Sequence, residues 1–200
     1  MRILGLTGGM GMGKSTLAAG FRRARIPVFD ADAAVHRLYA PGGAAVAPVL
    51  ARFPEAAGKD GGIDRARLRA ALAAHPDGFA PLEAIMHPLV RAAETRFLAR
   101  ARRAGAPLAV LDIPLLLETG GARRVDHVLL VSAPAAVQAH RLRLRRRMRA
   151  AEIATVLARQ MPDRAKRRLA DSVIPTGLSR FHATMRQKRL IAALRGKAMP

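Results

Sequence analysis

Cysteine and tryptophan are absent from these 200 residues, and there is a single tyrosine. Without cysteine there is no disulfide framework and no thiolate metal site, so any nucleophile is an oxygen or a nitrogen. One Tyr and six Phe leave few platforms for stacking bases, and no nucleic-acid motif accompanies the basic residues. Acid is scarce as well: 14 Asp and Glu stand against 35 Lys and Arg, for a net charge of +21. Only five of the cations are lysines. A charge of this size attracts polyanions, whether nucleic acid, anionic lipid or phosphorylated small molecules. In an alanine-rich chain the arginines can equally be dispersed over solvated helix faces. Long apolar runs are missing too. Gly5, Gly8 and Gly9 interrupt the N-terminus and Asp112 interrupts the stretch around 106–117, so neither a signal peptide nor a spanning helix is expected, and a cytoplasmic location with no membrane partner is.

What is present is a strand–helix alternation. Arg2 to Leu6, Pro27 to Asp30, Leu108 to Asp112 and His127 to Val131 are short apolar runs of buried-strand type, and Ser172 to Ile174 is a weaker fifth. Strands separated by helices imply right-handed crossovers and a parallel sheet covered on both faces. Helices are expected from Lys14 to Ala24, from Ala33 to Tyr39, and from an Asp64 N-cap to about Ala74; Pro88 is expected to end or kink a helix, with another continuing to about Arg103. The stretch 43–104 is too long for one crossover and reads as an insertion over the ligand edge of the sheet. The predicted organisation is one domain, with a core at 1–32, 105–137 and 161–200, a helical insertion at about 33–104 and an arginine-rich excursion at about 138–160.

GGMGMGKST at 8–16 contains Gly8, four intervening residues, then Gly13, Lys14 and Ser15, which is the phosphate-loop spacing. A glycine-rich turn between a strand and a helix lets backbone N–H groups surround phosphates while the helix N-terminus adds partial positive charge. Gly11 and Gly13 allow close approach, Lys14 is suited to the β- and γ-phosphates, and the Ser15 hydroxyl to Mg²⁺. Asp112, ending a buried strand, is placed like a carboxylate that holds Mg²⁺ directly or through water. The loop alone does not separate a kinase from a switch, an ATPase or a nucleic-acid motor.

DADAAVH at 30–36 follows the second strand, at the edge where doubly wound sheets bind ligands. One of Asp30 and Asp32 can cap the helix and the other favour its dipole. Alternatively Asp32 orients an attacking hydroxyl and accepts its proton late, which needs no raised pKa. His36, one turn on, can face the acceptor or solvent. QAHRLRLRRRMR at 138–149 puts six arginines in its last nine residues. Arg141, Arg145 and Arg149 share a face. That helix is either a solvated or nucleic-acid-facing surface, or a lid that brings arginine onto the transferring phosphoryl.

With these residues in place the chain resembles the dephospho-coenzyme A kinase family over nearly its whole length. GLTGGMGMGKST at 5–16, DAD with His36, HPLVR at 87–91, LDIPLLLE at 111–118, Gln138 with Arg141 and Arg145, Gln160 with Met161, and Lys166 followed by Ala170 and Asp171 occur in the family's order. The resemblance implies a three-layer α/β/α P-loop fold with a five-stranded parallel sheet, a helical acceptor-binding insertion and a lid. It implies transfer of the ATP γ-phosphoryl to the ribose 3′-hydroxyl of dephospho-coenzyme A, with Mg²⁺, by a monomer or weak homo-oligomer that does not depend on nucleic acid. By the same resemblance, Lys14 steadies the phosphates, Asp32 is the base and Arg141 reaches phosphate from the lid. Gly9, Gly11, Met12, Gly13, Lys14, Ser15 and Thr16 form the nucleotide site, with Ser15 and Asp112 on the metal. His36, His87, Pro88, Arg91, Leu115 and Arg145 join Asp32 on the acceptor. Two departures stand out. Where many relatives carry an Asn near the adenine this chain reads VIPTG at 173–177, making Thr176 the expected substitute, and the lid carries Arg146, Arg147 and Arg149 in place of mixed, partly acidic residues. The competing readings are another nucleoside- or nucleotide-type kinase, and a basic nucleic-acid-binding protein with a regulatory nucleotide site.

Overall fold

A sheet buried on both faces needs strands that are apolar on alternate residues in both directions, and the middle strands here satisfy that. The computed structural model describes residues 1–74, 76–146 and 160–196. Strands β1 (Arg2–Thr7), β2 (Val28–Asp30), β3 (Leu108–Asp112), β4 (His127–Ser132) and β5 (Ser172–Pro175) form one sheet in the order β2-β3-β1-β4-β5. All five residues of β3 are buried, as are the last five of β1 and of β4. β1 pairs in parallel with both β3 and β4, with Leu6 opposite Asp112 and Leu129, and β4 pairs in parallel with β5. Asp126 and Asp171 cap the sheet's amino edge, their carboxylates accepting from the Ile3 and Val128 N–H groups at 2.7 Å each.

By compactness the chain divides into two units, Met1–Phe29 with Ala101–Pro200, and Asp30–Arg100. In the first, helix α1 (Lys14–Arg23) buries Leu17, Ala18 and Phe21 against Leu4, Leu6, Leu108, Val110, Leu129 and Val131. Burying Leu17 and Phe21 alone contributes about 4 kcal/mol. Helix α8 (Arg180–Leu194), capped by the Ser179 hydroxyl, packs on α1, where Gln187 Nε2 donates to the Leu17 carbonyl at 2.7 Å. A smaller cluster of Leu116, Leu117 and Val128, backed by Met161 and Ala170, lies elsewhere in the unit. Helices α6 (Ala135–Arg146) and α7 (Asp163–Leu169) complete it. The predicted arginine-rich excursion is described only through Arg146, and Arg147 and Arg149 lie outside the described residues.

The second unit contains α2 (Ala31–Tyr39), α3 (Val46–Arg52), α4 (Arg65–Ala74) and most of α5 (Phe79–Arg103). Its own core joins Leu38, Tyr39, Val49, Phe53, Leu68, Leu72 and Met86. Burial pushes the Tyr39 phenol above its ordinary pKa, against a smaller opposing pull from Arg65. Asp64 caps α4 as its sequence suggests, accepting from Arg67 and Ala66 N–H groups, and those two bonds hold its carboxyl below the usual range. Pro88 neither ends nor divides its helix: α5 runs unbroken through it for 25 residues. Proline forfeits one ladder bond, a local loss that a helix buried at Met86, Glu94 and Leu98 can absorb. Among the described residues no helix is long and apolar enough to cross a membrane.

Candidate active site

The phosphate loop is shaped by glycines in a region closed to most residues. Gly11 (φ 79°) and Gly13 (φ 97°) are both left-handed, which costs other L-residues roughly 1–2 kcal/mol each. Gly13 is the N-cap of α1 and provides no side-chain cap; the Thr16 N–H turns back to the Gly13 carbonyl at 3.1 Å, and the rest of the first turn presents the positive end of the helix dipole, which suits an anion. Arg22 and Arg23 complement the other end. Ser15 and Thr16 are exposed in that first turn, whereas Met12 is buried. The Met12 sulfur accepts from the Ala133 N–H at 3.0 Å and its own N–H donates to the Gly9 carbonyl at 3.1 Å. Met12 therefore shapes the loop from beneath.

Lys14 Nζ meets Asp112 Oδ1 at 2.5 Å, with only 16% and 5% of the two side chains exposed. The strand register explains the meeting, since Asp112 sits opposite Leu6, one residue before the end of β1. A hydroxyl at Ser15 and a carboxylate at Asp112 are hard oxygen donors of the kind Mg²⁺ takes, and an ion that draws the rest of its shell from phosphate and water needs no more protein ligands. The donor set fits that metal.

α6 lies over the loop. Its residues Gln138, Arg141 and Leu142, at i, i+3 and i+4, all point there: a Cβ on Gly11 would meet Leu142 Cγ at 3.1 Å. Arg141 donates through Nη2 to the Thr176 carbonyl at 2.5 Å, and through Nη1 to the Thr176 hydroxyl at 3.0 Å and more weakly to the Gly11 carbonyl at 3.4 Å. Thr176 in turn donates to the Met12 carbonyl at 2.6 Å. A cavity lined by Gly13, Thr16, Arg141, Thr176 and Leu178 opens beside this knot.

The family model for dephospho-CoA kinase matches residues 2–179. A dephospho-CoA kinase of Mesorhizobium japonicum is 50% identical over 197 residues, 98% of each chain. The chain belongs to the dephospho-CoA kinase family. A crystal structure from Thermus thermophilus superposes with a TM-score of 0.85 at 33% identity over 96% of both chains. A dephospho-CoA kinase from Campylobacter jejuni superposes with a TM-score of 0.73 over 97% of this chain and 98% of that one; at 20% identity it speaks for the P-loop kinase fold alone. Family and donor site together make the chain an ATP-dependent kinase.

Which of the two acids caps α2 is settled by its backbone. Asp30 is the N-cap of α2, its Oδ1 accepting from the Ala33 N–H at 2.9 Å. Asp32 is left in the first turn, exposed, beside the helix's positive end. His36, His87, Pro88 and Arg91 are exposed as well, and Leu115 is 44% exposed in the loop after β3. Arg145 belongs to α6, but its side chain lies outside the described residues.

Sequence reading left Gln138 and Gln160 without a role. Gln138 Nε2 donates to the Met10 carbonyl at 2.7 Å, and Gln160 Oε1 accepts from the Met10 N–H at 3.2 Å. Nothing in local pattern marks them, because their partners are 128 and 150 positions away. The buried Lys166, noted in the sequence only for its place in the family's order, pairs with Glu118 at 2.6 Å, a partner that its basic helix does not reveal.

Proposed function

We propose that this kinase transfers the γ-phosphoryl of ATP to the ribose 3′-hydroxyl of dephospho-coenzyme A, with Lys14, Arg141 and Asp32 as its catalytic residues. The observation that carries the donor half is the left-handed Gly11–Gly13 turn opening an uncapped helix beside the Lys14–Asp112 pair. Family membership carries the acceptor. The loop's backbone N–H groups other than those of Met10, Met12 and Thr16, which are already bonded to Gln160, Gly9 and Gly13, hold the phosphates, and Lys14 exchanges part of its attraction to Asp112 for the β- and γ-oxygens. Ser15 and Asp112 would hold Mg²⁺, which would supply neutralisation of the charge that develops on the transferring group.

Arg141 is already seated on the loop through Thr176 and Gly11. Its guanidinium carries charge to the transferring group without a long search, and its tie to Thr176 borders the space for the adenine ring. Asp32 is the acceptor-side carboxylate. With the cap supplied by Asp30, the Asp32 side chain is not required for the helix, and an ordinary carboxylate suffices to orient a hydroxyl and take its proton late in a loose transition state. His36, His87, Pro88, Arg91, Leu115 and Arg145 bind the rest of the acceptor. The enzyme is taken to act as a monomer or weak homo-oligomer in the cytoplasm.

The deciding experiment compares ATP-dependent phosphorylation of dephospho-coenzyme A with that of nucleosides and nucleoside monophosphates, followed by location of the new phosphate. Phosphate on the 3′-oxygen of dephospho-coenzyme A is expected. A better turnover of adenosine monophosphate, or phosphate at another oxygen, would replace the acceptor assignment.

A further inference from the structure

Buried ion pairs seldom earn their place through stability, because desolving both charges offsets most of their attraction and an apolar pair of similar volume does as well. The Lys166–Glu118 pair is of this kind: Lys166 is 2% exposed and its Nζ lies 2.6 Å from Glu118 Oε1. What the pair adjoins is the phosphate loop. Lys166 lines a cavity of about 120 Å³ together with Gly9, Gln138, Gln160 and Met161. Glu118 Oε1 also accepts, at 3.4 Å, from the N–H of Met161, the residue next to Gln160. The first turn of α7 binds Lys166 from the other side, its N–H donating to the Pro162 carbonyl at 3.1 Å. Residues 160–162 are thereby fixed at Met161 by Glu118 and at Pro162 by α7.

Met10 is the residue that gains from this. It stands between Gly9 and Gly11, which bring the loop great backbone freedom. Gln160 accepts from its N–H and Gln138 donates to its carbonyl, so the peptide groups on both sides of Met10 are spoken for. A Cβ on Gly9 would meet Gln160 Oε1 at 3.1 Å and Gln138 Nε2 at 3.3 Å. The glutamines thus lie directly against the loop. A phosphate loop binds tightly only if its N–H groups are oriented before the ligand arrives; otherwise ordering them subtracts from affinity.

We infer that Gln138 and Gln160 are positioning residues that set the phosphate loop through the two peptide groups of Met10, and that the Glu118–Lys166 pair acts on ATP binding through Gln160. The inference rests on the donor-site reading above, but not on the identity of the acceptor. It makes the pair a determinant of ATP affinity and not of the chemical step.

The test measures ATP binding by calorimetry without acceptor, KM for ATP and kcat with acceptor, and thermal midpoint. The chains compared are wild type, Gln160→Ala, Lys166→Met with Glu118→Leu, and the triple variant. Gln160→Ala is expected to weaken ATP binding about 5-fold, with kcat at saturating ATP within about 2-fold. The paired replacement, which keeps volume and leaves no lone charge, should weaken it by a similar factor, and the triple variant no further, because the two act in series. Lys166→Gln with Glu118→Gln, alone and with Gln160→Ala, repeats the comparison with a polar pair that again leaves no lone charge. The inference is overturned if the pair variants bind ATP like wild type while only the thermal midpoint moves, or if their losses multiply with that of Gln160→Ala. A wild-type chain that did not bind ATP would instead remove the donor-site reading itself.

Discussion

The two compact units treat their functional side chains differently. In the unit that contains the phosphate loop, Lys14, Asp112, Arg141, Thr176, Gln138 and Gln160 are all engaged with one another or with the loop's backbone. In the unit Asp30–Arg100, Asp32, His36, His87 and Arg91 are exposed on helices whose packing and capping rely on other residues. The phosphate-loop region is therefore a built object whose members depend on one another, while the residues proposed for the acceptor are attached to a scaffold that does not need them. Substitutions in the first region should disturb structure and function together. In the second they should separate.

Lys14→Ala should have the largest effect, with kcat/KM falling by about 10⁴-fold. It also takes its lysine away from the Asp112 carboxylate, 4% exposed, at a cost on the order of 2 kcal/mol. Adding Asp112→Asn should recover much of that stability and none of the activity. Chemical denaturation beside a kinase assay checks both, and a lasting activity above a few per cent would break the comparison on the donor side.

Asp32→Asn should lower kcat by about 10³-fold and leave stability within about 0.5 kcal/mol, the clean separation expected of the second unit. If turnover survived, Asp32 would be no more than a charge at a helix terminus. Arg141→Ala should lower kcat by about 10²-fold and, unlike Asp32→Asn, also raise KM for ATP about 3-fold, since Thr176 and the Gly11 carbonyl lose their partner. Steady-state kinetics with ATP varied would show whether the two parameters move together. The smallest effect belongs to Asp30→Ala, which removes the α2 cap and should cost about 1 kcal/mol, read as a lower unfolding midpoint with KM for ATP unchanged. A loss of activity as large as that of Asp32→Asn would exchange the roles of the two acids.

The parts legible in the sequence were those whose meaning is local. The phosphate loop announces itself through glycine spacing, β3 and β4 through unbroken apolar runs, and the α4 cap through Asp64. Asp30 and Asp32 cannot be told apart in the sequence, because either can cap a helix, the two starts differing by two residues; the extended backbone of Asp30 decides it. Of the two effects expected of Pro88, ending its helix does not occur: the local penalty is real, but the burial along α5 outweighs it. Thr176 was named for its place near the base, yet its structural work, holding Met12 and Arg141, depends on neighbours that only the fold brings near. The same holds for Gln138, Gln160 and Lys166.

The central position of β1 has a consequence in time. Its two neighbours, β3 and β4, begin more than 100 residues after β1 starts, at Leu108 and His127. The groups that fix the loop after β1 come later still, ending with Thr176 bonded to Met12 across 164 positions. A ribosome delivers the phosphate loop first and everything that shapes it last. Until residue 176 has emerged, the growing chain carries a phosphate-loop sequence but no phosphate site, and so cannot use ATP binding to guide its own folding. Such long-range closure is slow, and it confines nucleotide capture to a chain whose sheet is already assembled.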